Sequence, residues 1–268
     1  MKWSRTIRLI MAGLCTLAGA IASAMPGLPA SGVVDPDEGT IECWIRLDFD
    51  PLQKHESSYR VLARPFRVVW ADPMFPDDGL GMKLVSRYAG YRSSTGMWFG
   101  ALVGAQIGGV RALKPSPNLW AGFGQDCKAN EWHHVALTWS VRDRRMDLYV
   151  NGQRRGGRKL GSTFMALTVF KNAVLTFGGG HIALDDLRIS CVARPVSELG
   201  VHGNVTLDAA TTLLFRFDRV EEDDGRIAVS PDYAAIRSAR QEYSLPDGWH
   251  PGEGMHGKAL VCHPRDGK

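Results

Sequence analysis

Apolar residues recur at every second position, in short runs, along most of this 268-residue chain. Ile41, Cys43 and Ile45 alternate with Glu42, Trp44 and Arg46 after Gly39. A period of two puts one set on a buried face and the other on a polar face, so the segment reads as a strand. Similar runs lie near 59–62, 66–70, 82–85, 97–103, 110–113, 132–139, 146–150, 173–177, 182–189 and 212–217, with Gly, Pro, Asn and Asp clusters between them. In 146–153, Asn151-Gly152 tolerates positive φ at both central turn positions, which predicts a two-residue type I′ hairpin. Helical spacing is scarce. Ser230 and Pro231 suit an N-cap and first helical position, which predicts one short helix over 233–240. The segment 48–128 holds Pro65, Pro73, Pro76, Pro115 and Pro117, and long loops are expected there. Many short strands separated by turn signals predict an all-β fold, a two-sheet antiparallel jelly-roll sandwich with few short helices.

The first 24 residues stand apart. Lys2, Arg5 and Arg8 precede an apolar run over 9–22, and Ala22-Ser23-Ala24 follows. A basic end, a short apolar core and an A-x-A site have the layout of a secretory signal peptide. The run falls short of the roughly 20 apolar residues that a membrane span needs. Secretion, or a cell-surface or periplasmic location, is therefore expected. Without that segment the chain has 29 basic and 28 acidic residues. So even a balance argues against nucleic acid as a partner, because phosphate contacts need a clear basic excess.

Export allows disulfides. Cys43, Cys127, Cys191 and Cys262 leave room for two, in three connectivities; the alternative is that they pack as small apolar groups. Their spacing matches no zinc pattern. Catalytic signatures are wanting. Glycoside hydrolysis needs two carboxyl groups across one groove, and no E-x-D-x-E pattern occurs on a strand. Glu221-Glu222-Asp223-Asp224 reads as a solvated turn, as does the group Asp35, Asp37 and Glu38. There is no G-x-S-x-G elbow. His133 and His134 are neighbours on one strand, so one is expected in the core and the other outside. Gly178-Gly179-Gly180 precedes a strand, which makes it a turn rather than a phosphate loop.

Three segments carry a resemblance. Gly39-Thr40-Ile41-Glu42-Cys43-Trp44-Ile45 is the first. Glu131-Trp132-His133-His134-Val135-Ala136-Leu137-Thr138-Trp139, followed by Leu148-Tyr149-Val150-Asn151-Gly152, is the second. Leu184-Asp185-Asp186-Leu187-Arg188-Ile189-Ser190, followed by Val192-Ala193-Arg194, is the third. In this order they resemble the laminin G-like jelly-roll family of the concanavalin A-like lectin/glucanase superfamily, over roughly residues 39–200. Residues 208–218 and Gly257-Lys258-Ala259-Leu260-Val261 also look like strands of that family. The second of these is expected upstream of Gly39, yet here it comes late. Either it closes the sandwich in permuted order or it begins a truncated second domain. The expected division is a jelly roll over 25–218 and a C-terminal extension over 219–268, loosely packed beyond 245.

The resemblance implies a non-catalytic binding module for carbohydrate or another extracellular surface ligand. A glucanase-type hydrolase and a structural or adhesion module are the alternatives. It also implies calcium as a cofactor at a sandwich edge, with Asp185, Asp186 and Asp218 as candidate ligands. Aspartates that accept backbone hydrogen bonds and fix turns are the competing reading. Arg142, Arg144 and Arg145 precede the central hairpin strand, and Arg154, Arg155, Arg158 and Lys159 follow its turn. Together they form either a cationic patch for acidic polysaccharide or a charge-protected edge. Trp70, Trp98 and Trp120, in the irregular segment, are the candidate sugar-stacking rings.

Overall fold

The computed structural model describes residues 27–49, 60–69, 79–86, 98–103, 118–122, 128–159, 173–203, 205–223, 226–245 and 248–262. The leader, Trp70, Cys127 and the strand expected at 110–113 lie outside these residues. Among the described residues the strands form three sheets, and every pairing is antiparallel.

The first sheet holds β1 (Leu28–Pro29), β3 (Arg60–Val69), β4 (Gly79–Ser86), β5 (Trp98–Val103), β6 (Asn118–Gly122) and β10 (Val174–Phe177), in the order β1-β10-β3-β4-β5-β6. The second is built on β2 (Glu38–Leu47), β7 (Trp132–Ser140), β8 (Arg145–Val150), β9 (Gln153–Lys159), β11 (Ile182–Ser190), β12 (Thr211–Phe215) and β15 (Tyr233–Ala234), in the order β15-β12-β11-β2-β7-β8-β9. The hairpin of β17 (Trp249–Glu253) and β18 (Lys258–Cys262) joins it through β18 and β11. A small third sheet pairs β13 (Val220–Asp223), β14 (Arg226–Val229) and β16 (Tyr243–Ser244).

The core lies between the two large sheets. Ile41, Cys43, Ile45, Val135, Leu137, Leu148, Leu187 and Ile189 come from one side, and Phe66, Leu175 and Phe177 from the other. Phe177 sits 5.0 Å from Phe215, and Phe215 stacks on Phe217 at 5.6 Å. Each such buried ring contributes about 1.5–3 kcal/mol relative to exposure. Asn151 and Gly152 take φ of 49° and 73°, the left-handed pair that a type I′ turn requires.

Four expectations need correction. The helix at 233–240 is instead β15 followed by one 3-10 turn, Arg237–Ala239. Glu221 and Glu222 are exposed, but they sit on β13 rather than in a turn. Cys43, Cys191 and Cys262 are free thiols, so two disulfides do not form. Burial pushes the Cys262 thiol up to about 12, consistent with an inert packed group. The tail beyond 245 is not loose: Trp249, Ala259, Leu260, Val261 and Cys262 are all buried.

β18 fills a particular place. One edge of β11 pairs with β18 over Ile182–Leu184 and with β12 over Leu187–Ser190. Two strands far apart in sequence thus lie end to end along a single neighbour. β15 and β17, which lie between them in sequence, join the same sheet beside β12 and β18.

Candidate functional site

The second sheet turns a polar face away from the core. Period two puts Thr40, Glu42 and Trp44 on it from β2, His134 and Thr138 from β7, and Arg188 and Ser190 from β11. This face is buried as well, because a strap formed by residues 192–203 and 205–208 lies across it. Glu42 is the centre. Its Oε1 accepts Arg188 Nε at 2.7 Å and also Arg188 Nη2. Its Oε2 accepts His134 Nε2 at 2.9 Å and Gly200 N–H at 2.8 Å. Arg188 then donates to the carbonyls of Thr206 and Glu198, at 2.9 and 2.8 Å. Burial pushes the Glu42 carboxyl up, but the His134 hydrogen bond, the His134 and Arg188 charges and the Gly200 N–H outweigh it. The net effect holds Glu42 below the usual carboxylate range and keeps it ionised.

Both histidines are therefore buried, contrary to the expectation of one inside and one outside. His133 faces the core side and takes the Asn151 side-chain amide at 3.2 Å. His134 faces the other way, onto Glu42, beneath the strap. A second network ties the strap's ends. Arg194 donates to Ser190 Oγ at 2.8 Å and to Asp208 Oδ1 at 2.7 Å, and Asp208 caps the turn into β12 through Thr211 N–H.

Asp185 and Asp186 occupy the bulge where β11 changes partner from β18 to β12. Asp186 takes φ of 47°, which aspartate tolerates better than most residues. Asp185 accepts Asp186 N–H at 2.8 Å on Oδ1 and His256 N–H at 2.9 Å on Oδ2. Asp218 accepts Lys258 N–H at 3.0 Å. Asp185 thus ties the residues before β18 to the β11 bulge, and Asp218 ties the start of β18 to the segment after β12. Burial pushes Asp185 up to about 7 and Asp186 up to about 6. The Arg216 charge acts on Asp186 against that rise. Calcium needs several ionised or carbonyl oxygens converging on one point. Here Asp185 and Asp218 are engaged by backbone amides and a guanidinium acts on Asp186, so the three do not fit calcium as a set. Among the described residues, no group of three or more His, Cys, Asp or Glu is arranged to hold a metal.

The basic hairpin is divided rather than pooled. Arg154 pairs across from Tyr149 and shares its face with Asp147 and Arg145. Arg158 pairs across from Met146, which is a core residue, so its register position belongs to the opposite face. Arg155 falls at the register shift between the two.

The first sheet holds the two described tryptophans of the candidate set. Phe66 is buried in the core, and it pairs with Met82, which pairs with Ala101, which pairs with Leu119. Directly paired residues share a face, so these four mark the core side. Trp98 and Trp120 occupy the alternate positions, on the side away from the core. Trp98 lies opposite Gly122, and Trp120 lies opposite Gly100. Sequence reasoning missed β6 altogether, and with it this pairing.

A family model described as the concanavalin A-like lectin/glucanases superfamily, of laminin G type, matches residues 26–199. That is well over half of the chain, and the chain belongs to this superfamily. A search of curated proteins finds no match. Among solved structures, a Bacteroides ovatus protein described as a candidate carbohydrate-binding protein is 14% identical, with a TM-score of 0.47. The match covers 91% of this chain and 58% of that one. The CBM40 of a Ruminococcus gnavus IT-sialidase is 14% identical over 67% of this chain and 93% of its own, with a TM-score of 0.40. A heptameric SAP-like pentraxin from Limulus polyphemus is 15% identical over 73% and 84%, with a TM-score of 0.39. No helix among the described residues is long and apolar enough to cross a membrane.

Proposed function

We propose that this chain is an exported, non-catalytic carbohydrate-binding module whose ligand face is the outer side of the first sheet. The observation that carries this reading is the diagonal pair Trp98 and Trp120 on that side, each with a glycine across from it. Diagonal neighbours in an antiparallel pair lie about 7–8 Å apart, within reach of aromatic rings. A glycine at the position across from each tryptophan leaves room for a ligand beside an indole. The C–H face of a pyranose packs on such rings by dispersion and apolar contact. Lys83 and Arg67 hold register positions on the same side, where their charges would orient hydroxyl or acidic groups.

The non-catalytic part draws support from how the described carboxylates are used. Glu42 is engaged by Arg188, His134 and Gly200, and Asp185 by backbone amides. Neither faces an open groove as an acid or base must. The exported form should start at Met25, which N-terminal sequencing reads directly.

The test is a glycan-array screen of the exported protein, beside Trp98→Ala and Trp120→Ala. Selective binding that falls about tenfold in either variant is expected. Binding indifferent to both substitutions would move the ligand to another surface. No binding to any glycan would turn the reading towards a module that contacts proteins.

A further inference from the structure

Asp147 is an unusual carboxylate for an edge hairpin. It stands on β8 on the face away from the core, yet its side chain is only 4% exposed. What covers it is two arginines. Arg145 Nε meets Oδ2, and Arg154 Nε meets Oδ1 at 2.6 Å. Both guanidinium groups use Nε for this contact. Among the described residues, no protein group takes their terminal nitrogens. The Arg145 and Arg154 side chains remain 56% and 49% exposed, so about half of each is within reach of a ligand, although Arg154 Nη2 lies against Gly157. Tyr149 is half-buried beside them, opposite Arg154.

Gly157 explains why Arg154 lies down. It pairs directly with Asp147, and a Cβ there would collide with Arg154 Nη2 and Asp147 Oδ1. With no side chain at 157, the guanidinium settles onto the carboxylate instead of extending into water. A charged edge that only discourages strand pairing needs mobile, solvated charges. Here two forks are held side by side in advance, so a ligand loses less side-chain entropy on binding. Arg145, Arg154 and Asp147 carry a net charge of +1, and Lys159 sits across from Arg145 on the same face, so the surface attracts an oxyanion. Guanidinium forks match planar or tetrahedral oxyanions through paired N–H donors.

We propose that Arg145, Asp147, Arg154 and Tyr149 form a binding site for an oxyanion carried on a polysaccharide, either a carboxylate or a sulfate ester. Asp147 positions the two guanidinium groups, which bind the anion, and Tyr149 packs against the sugar that bears it. This site is on the second sheet and does not depend on the Trp98–Trp120 reading.

The exported chain is titrated with polygalacturonate, which offers only carboxylates, with dextran sulfate, which offers only sulfates, and with plain dextran. Binding to one or both charged polymers and none to dextran is expected, and the preferred polymer identifies the anion. The double variant Arg145→Gln/Arg154→Gln should bind about tenfold more weakly. Arg142→Gln/Arg144→Gln removes the same charge from the adjoining turn and should change binding less than about twofold. Gly157→Ala keeps every charge but displaces Arg154, and should weaken binding as the first double variant does. Should that double variant fail to fold, Gly157→Ala and Arg154→Lys decide the matter, since both retain the charge. Equal losses in the two double variants would overturn the site as mere net charge. Wild-type affinity in Gly157→Ala, or no preference for either polymer over dextran, would also overturn it.

Discussion

Glu42 shows what a single buried charge does in this protein. Four donors from three elements meet on its two oxygens. Glu42→Gln would leave Arg188 buried without a counter-charge, which costs about 3–5 kcal/mol. A lower urea midpoint with an unchanged slope is the expected readout; an unmoved midpoint would mean that Arg188 finds its balance elsewhere. The titrations work in two directions. Glu42 is held below its ordinary range, so its contribution is present above about pH 4.5 and is lost as pH falls through the folded value. Asp185 and Asp186 are raised to about 7 and about 6. Below about pH 4 they are protonated in both states. Between there and about pH 7 the folded state holds protons that the unfolded state has released, so stability falls as pH rises. Thermal melts should therefore peak near pH 4–5. Asp186→Asn, which suits the positive φ and carries no charge, should flatten the fall between pH 4 and 6; an unchanged slope would remove Asp186 from the account. The alternation of 40–46 already told which side Glu42 faces. That His134 would meet it could not be read, because the contact depends on the register of β2 against β7.

Elements were most legible where one local rule suffices. Asn151-Gly152 needs nothing beyond its own turn, and it formed as read. The helix expected at 233–240 failed because local capping competed with a free strand edge. Tyr233 and Ala234 pair with Leu214 and Leu213 instead, and Ala234 and Ala239, five residues apart and so on different sides of a helix, both reach the core. Gly178 shows the reverse dependence. Its φ of 74° is one that L side chains rarely adopt, and a Cβ there would fall on the Trp249 ring. Gly178→Ala should thus lower stability by about 2–4 kcal/mol, through strain and through displacement of Trp249. Loss of Trp249 near-ultraviolet dichroism should accompany it. Retention of both stability and signal would mean that the ring has another seat.

At the scale of the whole molecule, β18 covers the β11 edge over Ile182–Leu184. Deleting residues 246–268 removes Trp249 and Leu260 from the core and bares the β11 edge over Ile182–Leu184. An exposed, apolar central edge invites pairing with other chains. The truncated protein should be aggregated or unfolded by sedimentation and far-ultraviolet dichroism; a soluble, cooperatively melting monomer would make the hairpin an accessory. The amino-acid sequence by itself determined the all-β class, most strand positions and the side each residue faces, because a period of two is a local property. The tertiary structure alone decided which faces meet. It set Glu42 against Arg188, 146 residues away, ran β12 and β18 end to end along β11, and brought Trp98 and Trp120 onto one side of adjoining strands. Alternation states inside or outside for each residue, but not the neighbouring strand or its register. Those depend on the competition among all edges for burial and hydrogen bonds, which is settled only when the whole sheet forms.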